Sequence, residues 1–171
     1  MAPTIHVCSR GDVAKIVNAT GARFLVSLSG PGDPAPSLDQ IESHLALVFS
    51  DVAPDGAGGV APRLSDVAAL LSFSEGWDRG SPLVIHCWRG VSRSPAAAFI
   101  AACALYPGID EARFARAIRR ASPSARPNEY LVSLADDFLQ RGGGMCRAVR
   151  GIGRPGSTPV AARPFSIALP A

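Results

Sequence analysis

The stretch LVIHCWRGVSRSPAAAFIAA, residues 83–102, constrains the fold more than any other part of the chain. Leu83-Val84-Ile85 is an apolar, largely β-branched run that suits a buried strand, and Ala96-Ala97-Ala98-Phe99-Ile100-Ala101-Ala102 suits a buried helix. Between them lie a histidine, a cysteine, a glycine-bearing turn, an arginine and a serine. A strand that turns through a tight loop into a helix aims backbone N–H groups and the positive end of the helix dipole at one point. A nucleophile at the start of such a loop faces whatever anion the loop holds.

The remaining pattern alternates short strands with helices. Ile5-His6-Val7-Cys8, Phe24 to Leu28 and Leu45 to Phe49 read as three further strands. Asp12 is placed to cap a helix from Val13 to Ala19, which Gly21 ends. Gly30 to Pro36 is too rich in Pro and Gly for regular structure, and Ser37 opens a short segment read as a turn of helix. Ser65 or Asp66 begins an amphipathic helix that turns Val67, Leu70, Leu71 and Phe73 inward. Asp110 starts a helix with Phe114, Ala117 and Ile118 on one face and Arg113, Arg116, Arg119 and Arg120 on a solvated one. Asn128 caps a helix with Leu131, Leu134, Phe138 and Leu139 inward, and a last short helix runs from Met145 to Val149.

These elements predict a single α/β domain around a mainly parallel sheet of four to five strands flanked by helices. The domain spans residues 1–150, and residues 151–171 form a Pro/Gly-interrupted tail that lies extended on the surface or is loose. In such sheets ligands sit at the carboxyl ends of the strands, where the loop after Ile85 lies.

A hydrophobic fraction of 47% with 18% charged residues in 171 residues describes a globular chain. The net charge of +3 gives little support to nucleic-acid binding but suits an anionic substrate. Cys8, Cys87, Cys103 and Cys146 form no metal-type spacing, so neither a metal nor another cofactor is expected. With no signal-like N-terminus and no membrane-length apolar run, the expectation is a cytoplasmic protein with reduced thiols.

The loop chemistry follows from residue types. Cys87 is the candidate nucleophile; its thiolate, the reactive form, is favoured by loop N–H donors, the helix dipole and the Arg93 charge. The same loop, Trp88-Arg89-Gly90-Val91-Ser92-Arg93, suits a phosphate dianion, with Arg93 donating two parallel hydrogen bonds. Gly90 lets backbone approach the anion, and Pro95 fits the first helical turn, where its missing N–H costs little. Ser94 is placed to hydrogen-bond the sulfur and assist its departure. An ATP-binding loop needs G-x-x-x-x-G-K-[ST], and this loop has no lysine. Cofactor-free phosphoryl transfer through a thiophosphate fits better. The leaving oxygen needs a proton donor from a neighbouring loop. Asp51, directly after the third strand, is the first choice and Asp55, in a glycine-rich loop, the second.

HCWRGVSRS resembles the H-C-x-x-G-x-S-R-[ST] signature of the cysteine-dependent protein tyrosine phosphatases, most closely a compact, prokaryotic dual-specificity-like branch. The resemblance assigns Cys87 as nucleophile, Arg93 as the phosphate-binding arginine and Ser94 as the assisting hydroxyl. Asp51-Val52-Ala53-Pro54 resembles the family's D-x-x-P acid context, whereas Asp55 matches the usual spacing to the nucleophile better. Pro127-Asn128 resembles the P-N-x-x-[FY] segment, and Arg126 falls in the flanking loop, a candidate contact for a second anionic group. The family pattern directs the Trp88 side chain away from phosphate, into packing. His86 is read as structural support beneath the loop, and Cys8 and Cys103 as packing residues.

The implied activity is hydrolysis of phosphomonoesters on proteins, at phosphotyrosine or with dual specificity. Alternatives are a phosphatase for small-molecule or lipid phosphates, whose lipid type carries loop lysines absent here, a rhodanese-like sulfur transferase, and an inactive phosphoprotein-binding module. Neither nucleic acid nor membrane is an expected partner.

Overall fold

The computed structural model describes residues 2–54, 58–157 and 160–170. In chain order the elements are β1 (Thr4–Ser9), α1 (Val13–Thr20), β2 (Phe24–Ser29), β3 (Ser43–Val48), α2 (Leu64–Glu75), β4 (Leu83–Cys87), α3 (Arg93–Leu105), α4 (Glu111–Ala121), α5 (Glu129–Phe138), α6 (Gly144–Gly151) and β5 (Phe165–Ala168). They build a single α/β domain whose five-stranded sheet runs in the order β3-β2-β4-β1-β5. The first four strands are parallel and β5 pairs antiparallel with β1.

Every residue of β4 is buried. It lies between β2 and β1 with helices on both faces, the environment that a continuous apolar run requires. On one face α1 packs Val13 and Val17 against Cys8, Leu25 and Val84. The other helices share the opposite core, with α3 at its centre, buried throughout from Arg93 to Cys103. Its alanines explain that position, because small side chains let α3 approach β4, α2, α4 and α5 together.

Several local expectations are corrected. Asp12 does not cap α1 with its side chain; its carboxylate turns back to accept from Ser9 Oγ at 2.7 Å. The Ser37 segment takes no helix. Helix α2 starts at Leu64, and Asp66 accepts the Arg63 N–H at 2.7 Å. In α5 Phe138 is 48% exposed, while Asp136, an unexpected inward residue, is 2% exposed. The reason is hydrogen bonding: the Asp136 carboxylate accepts the N–H groups of Gly143, Met145 and Cys146 and so caps α6. The arginine face of α4 is only partly solvated, since Arg119 donates to the carbonyl oxygens of Pro123, Ala125, Ile152 and Gly153.

The tail carries a strand that the sequence reading did not assign. Alternation of Phe165, Ile167 and Leu169 inward with Ser166 and Ala168 outward makes an edge strand. The prolines and arginines around it hide that short period in the sequence.

Three strands are also linked by side chains. Ser27 Oγ lies 2.8 Å from His44 Nε2 and 2.7 Å from His86 Nε2, joining β3, β2 and β4 beneath the carboxyl end of the sheet. Burial is the main reason that the His86 pKa falls from 6.5 to about 4. His44 is lowered in the same direction, also by burial.

Two measurements follow. Deleting residues 163–171 removes Phe165, Ile167 and Leu169, each worth about 1.5–3 kcal/mol if fully buried, and bares the β1 edge; a large drop in the urea midpoint is expected. The second concerns pH. Unfolded His86 binds a proton below 6.5 and the folded residue only below about 4, so the unfolded state binds more protons across that window. Stability is therefore undiminished by His86 above pH 6.5 and is lost progressively as pH falls toward 4. In chemical denaturation at several pH values, His86→Gln should flatten this slope.

Candidate active site

The loop after β4 is held from outside by its carbonyl groups. The Trp88 oxygen accepts from Arg10 N–H, that of Arg89 from Ala162 N–H, that of Val91 from Arg126 N–H, and that of Ser92 from the N–H groups of Asn128 and Ala96. With these oxygens turned outward, the N–H groups of Trp88, Gly90, Val91 and Ser92 donate to no protein acceptor among the described residues. Gly90 makes this path sterically possible. Its φ is +71°, and a Cβ there would lie 2.9 Å from the carbonyl carbon of Cys8 and from the nitrogen of Ser9. The sequence reading attached this glycine to close approach of an anion; in the structure it allows close approach of the β1 backbone.

Cys87 ends β4 at 3% exposure. Ser94 Oγ donates to its sulfur at 3.1 Å from the first turn of α3. Arg93 is 8% exposed, and its Nη1 donates to the carbonyl of Phe49 at 2.8 Å, which fixes the guanidinium beside the loop. Asp51 lies past the edge strand β3, with β2 between it and β4. Ser92 Oγ and Asn128 Nδ2 donate to the same Asp51 oxygen, Oδ1, at 2.7 and 2.6 Å. This leaves Oδ2 outside both contacts. Asp51, Cys87, Arg89, Arg93 and Arg126 share one cavity of about 280 Å³ with Trp88, Val91 and Ser92. Asp55, the second candidate acid, lies outside the described residues.

The remaining candidates separate around this cavity. Trp88 is 56% exposed, contrary to the packing expected of it, and the Arg10 guanidinium lies 5.4 Å from its ring centroid. Arg89 turns to the C-terminal segment and donates from Nε to the Val160 carbonyl at 2.8 Å. His86 is 1% exposed and bound to Ser27 beneath the loop. Cys8 is paired in register with His86, and Ser9 with Cys87, so Cys8 faces the α1 side, opposite Cys87. Burial pushes the Cys8 thiol up to about 12, and burial likewise raises the Cys103 thiol.

Sequence reading missed three contacts. The Asn128 amide serves two partners, since its Oδ1 also accepts the Leu131 N–H that caps α5. Its place directly after Pro127 was the available signal. Ser92 was read as part of the phosphate-binding loop, but the contact of its hydroxyl with Asp51, like that of the Phe49 carbonyl with Arg93, had no signal, because both bridge more than forty residues of chain. Among the described residues no group of three or more His, Cys, Asp or Glu side chains stands together as a metal site. No helix among them is long and apolar enough to cross a membrane.

No protein-family model matches the sequence, and no curated protein does. Solved structures do match. Human DUSP28 aligns with a TM-score of 0.63 at 20% identity, over 82% of this chain and 96% of its own. DUSP15 aligns with a TM-score of 0.63 at 18% identity, over 88% and 90%. The Yvh1 phosphatase domain from Chaetomium thermophilum aligns with a TM-score of 0.63 at 17% identity, over 82% and 93%. The likeness to these solved structures gives the protein the fold of the dual-specificity phosphatases.

Proposed function

We propose that this protein is a phosphomonoester hydrolase of the protein tyrosine or dual-specificity type. One observation carries the reading: Cys87 stands at the base of a loop whose carbonyls point away from it, in the cavity that also contains Arg93 and Asp51. The amides of Trp88, Gly90, Val91 and Ser92, without a protein acceptor among the described residues, and a fixed guanidinium suit the three non-bridging oxygens of a phosphoryl group.

In this reading Cys87 attacks phosphorus as a thiolate, a sulfur–phosphorus bond forms, and the bond to the leaving oxygen breaks. Asp51, protonated on its oxygen away from Ser92 and Asn128, gives its proton to that oxygen. Water then attacks the phosphoryl group, Asp51 takes its proton, and the sulfur departs with the Ser94 hydroxyl donating to it. Arg93 and the amides of Trp88 to Ser92 hold the equatorial oxygens throughout, while His86 supports the loop through Ser27. Arg126, exposed at the cavity wall, faces the part of the substrate beyond the reacting group. Residues 1–150 with the β5 strand form the working unit in this reading. The four free cysteines match a reducing compartment, and the cytoplasmic placement belongs to the same proposal.

Hydrolysis of para-nitrophenyl phosphate in EDTA tests the reading. Wild-type protein should turn over the ester and Cys87→Ser should not; equal rates would overturn the assignment. The acid is identified by pH profiles on a substrate with a poor leaving group. Asp51→Asn should lower kcat by roughly 10²–10⁴-fold and remove the decline at high pH. Asn128→Ala should lower kcat less and retain that decline, whereas Asp55→Asn should behave as wild type.

A further inference from the structure

A second cavity, about 310 Å³, adjoins the first on the side of α6, and Arg126 lines both. Its wall carries Arg119, Arg126, Arg150 and Arg154 against one carboxylate, Glu129. Arg119 is committed to four backbone carbonyls and serves as scaffold. Arg126, Arg150 and Arg154 are exposed. Of these three, only Arg150 has an ion-pair partner among the described residues, Glu129 at 3.0 Å, and both partners are more than 60% exposed. An exposed pair of this kind exchanges readily for another carboxylate. Between the arginines lie apolar walls from Val149, Ile152 and Pro155. The Arg119 bonds and the Gly156 N–H on the Pro123 carbonyl hold this segment in place.

We propose that this groove docks acidic residues adjoining the phosphorylated residue of a protein substrate. The inference rests on the phosphatase reading and specifies its substrate class. Arg126 joins the two cavities, so a chain with its phosphoryl group over Cys87 is led from the first into the second. Guanidinium groups hold carboxylates in two-point contact, and the apolar wall between them accepts the backbone and aliphatic stems of an extended peptide. A small phosphate ester leaves the groove empty.

The test compares phosphotyrosyl peptides with glutamates on the N-terminal side, on the C-terminal side, or replaced by alanine. Binding is read by fluorescence anisotropy on the Cys87→Ser protein and turnover on the wild type. One acidic peptide should bind and react roughly three- to tenfold better than the alanine peptide, the scale of one or two exposed ion pairs, and the gain should fade with added salt. The double variant Arg150→Glu/Arg154→Glu should lose that gain in both readouts while para-nitrophenyl phosphate turnover is unchanged. Equal affinity of all three peptides, or a gain that survives the double variant, overturns the groove. Absence of turnover with any ester overturns the phosphatase reading instead, and the anisotropy comparison still decides the groove.

Discussion

The centre of this structure depends on the direction in which a short loop points its carbonyl groups. The short turn between β4 and α3 can present either oxygens or N–H groups to its interior, and here amide donors from outside fix the choice. They come from Arg10 at the end of β1, Arg126 and Asn128 between α4 and α5, Ala162 near the C-terminus, and Ala96 in α3. Each bond is modest alone, on the order of 1 kcal/mol. Their shared effect is that the N–H groups of Trp88, Gly90, Val91 and Ser92 are left without a protein acceptor among the described residues, an arrangement that the surrounding chain holds in place.

The sheet order gives this arrangement its geometry. Placing β4 between β2 and β1 buries its whole length, Cys87 included, and the cavity opens only past that final residue. The carboxylate at Asp51 follows an edge strand, so sheet pairing alone does not bring it to Cys87. Two hydrogen bonds to one oxygen, from Ser92 and Asn128, span the gap and orient the carboxylate. The loop, the edge strand and the start of α5 are therefore one cluster of side chains rather than three neighbours.

Legibility in the sequence followed the range of the interactions. The strand–loop–helix stretch is local, and its residues stand in the order and roles of neighbourhood that their types imply. The α/β class, the parallel sheet and most element boundaries were likewise readable from periodicity. What escaped reading lies far apart in sequence. Phe49 holding Arg93, and Ser27 bridging His44 and His86, are contacts that no spacing records. Gly90 was recognisable as a constrained position, but its neighbour, the β1 backbone, was not. Asp136 and Phe138 broke the apolar pattern of α5 because a buried carboxylate found three backbone donors while a phenyl ring at the helix end found solvent. The β5 strand was concealed by composition, since four residues among prolines and arginines carry too short a period to stand out.

The contacts of the C-terminal segment link the order of synthesis to the state of the site. Val160 and Ala162 bond the Arg89 side chain and carbonyl, and β5 closes the sheet beside β1. A nascent chain stopped after α6 has every side chain named for the chemistry but not this brace. The loop gains these outer hydrogen bonds only when residues 160–168 have left the ribosome, so β5, made after the four parallel strands, completes the cradle that β4 and its loop encode.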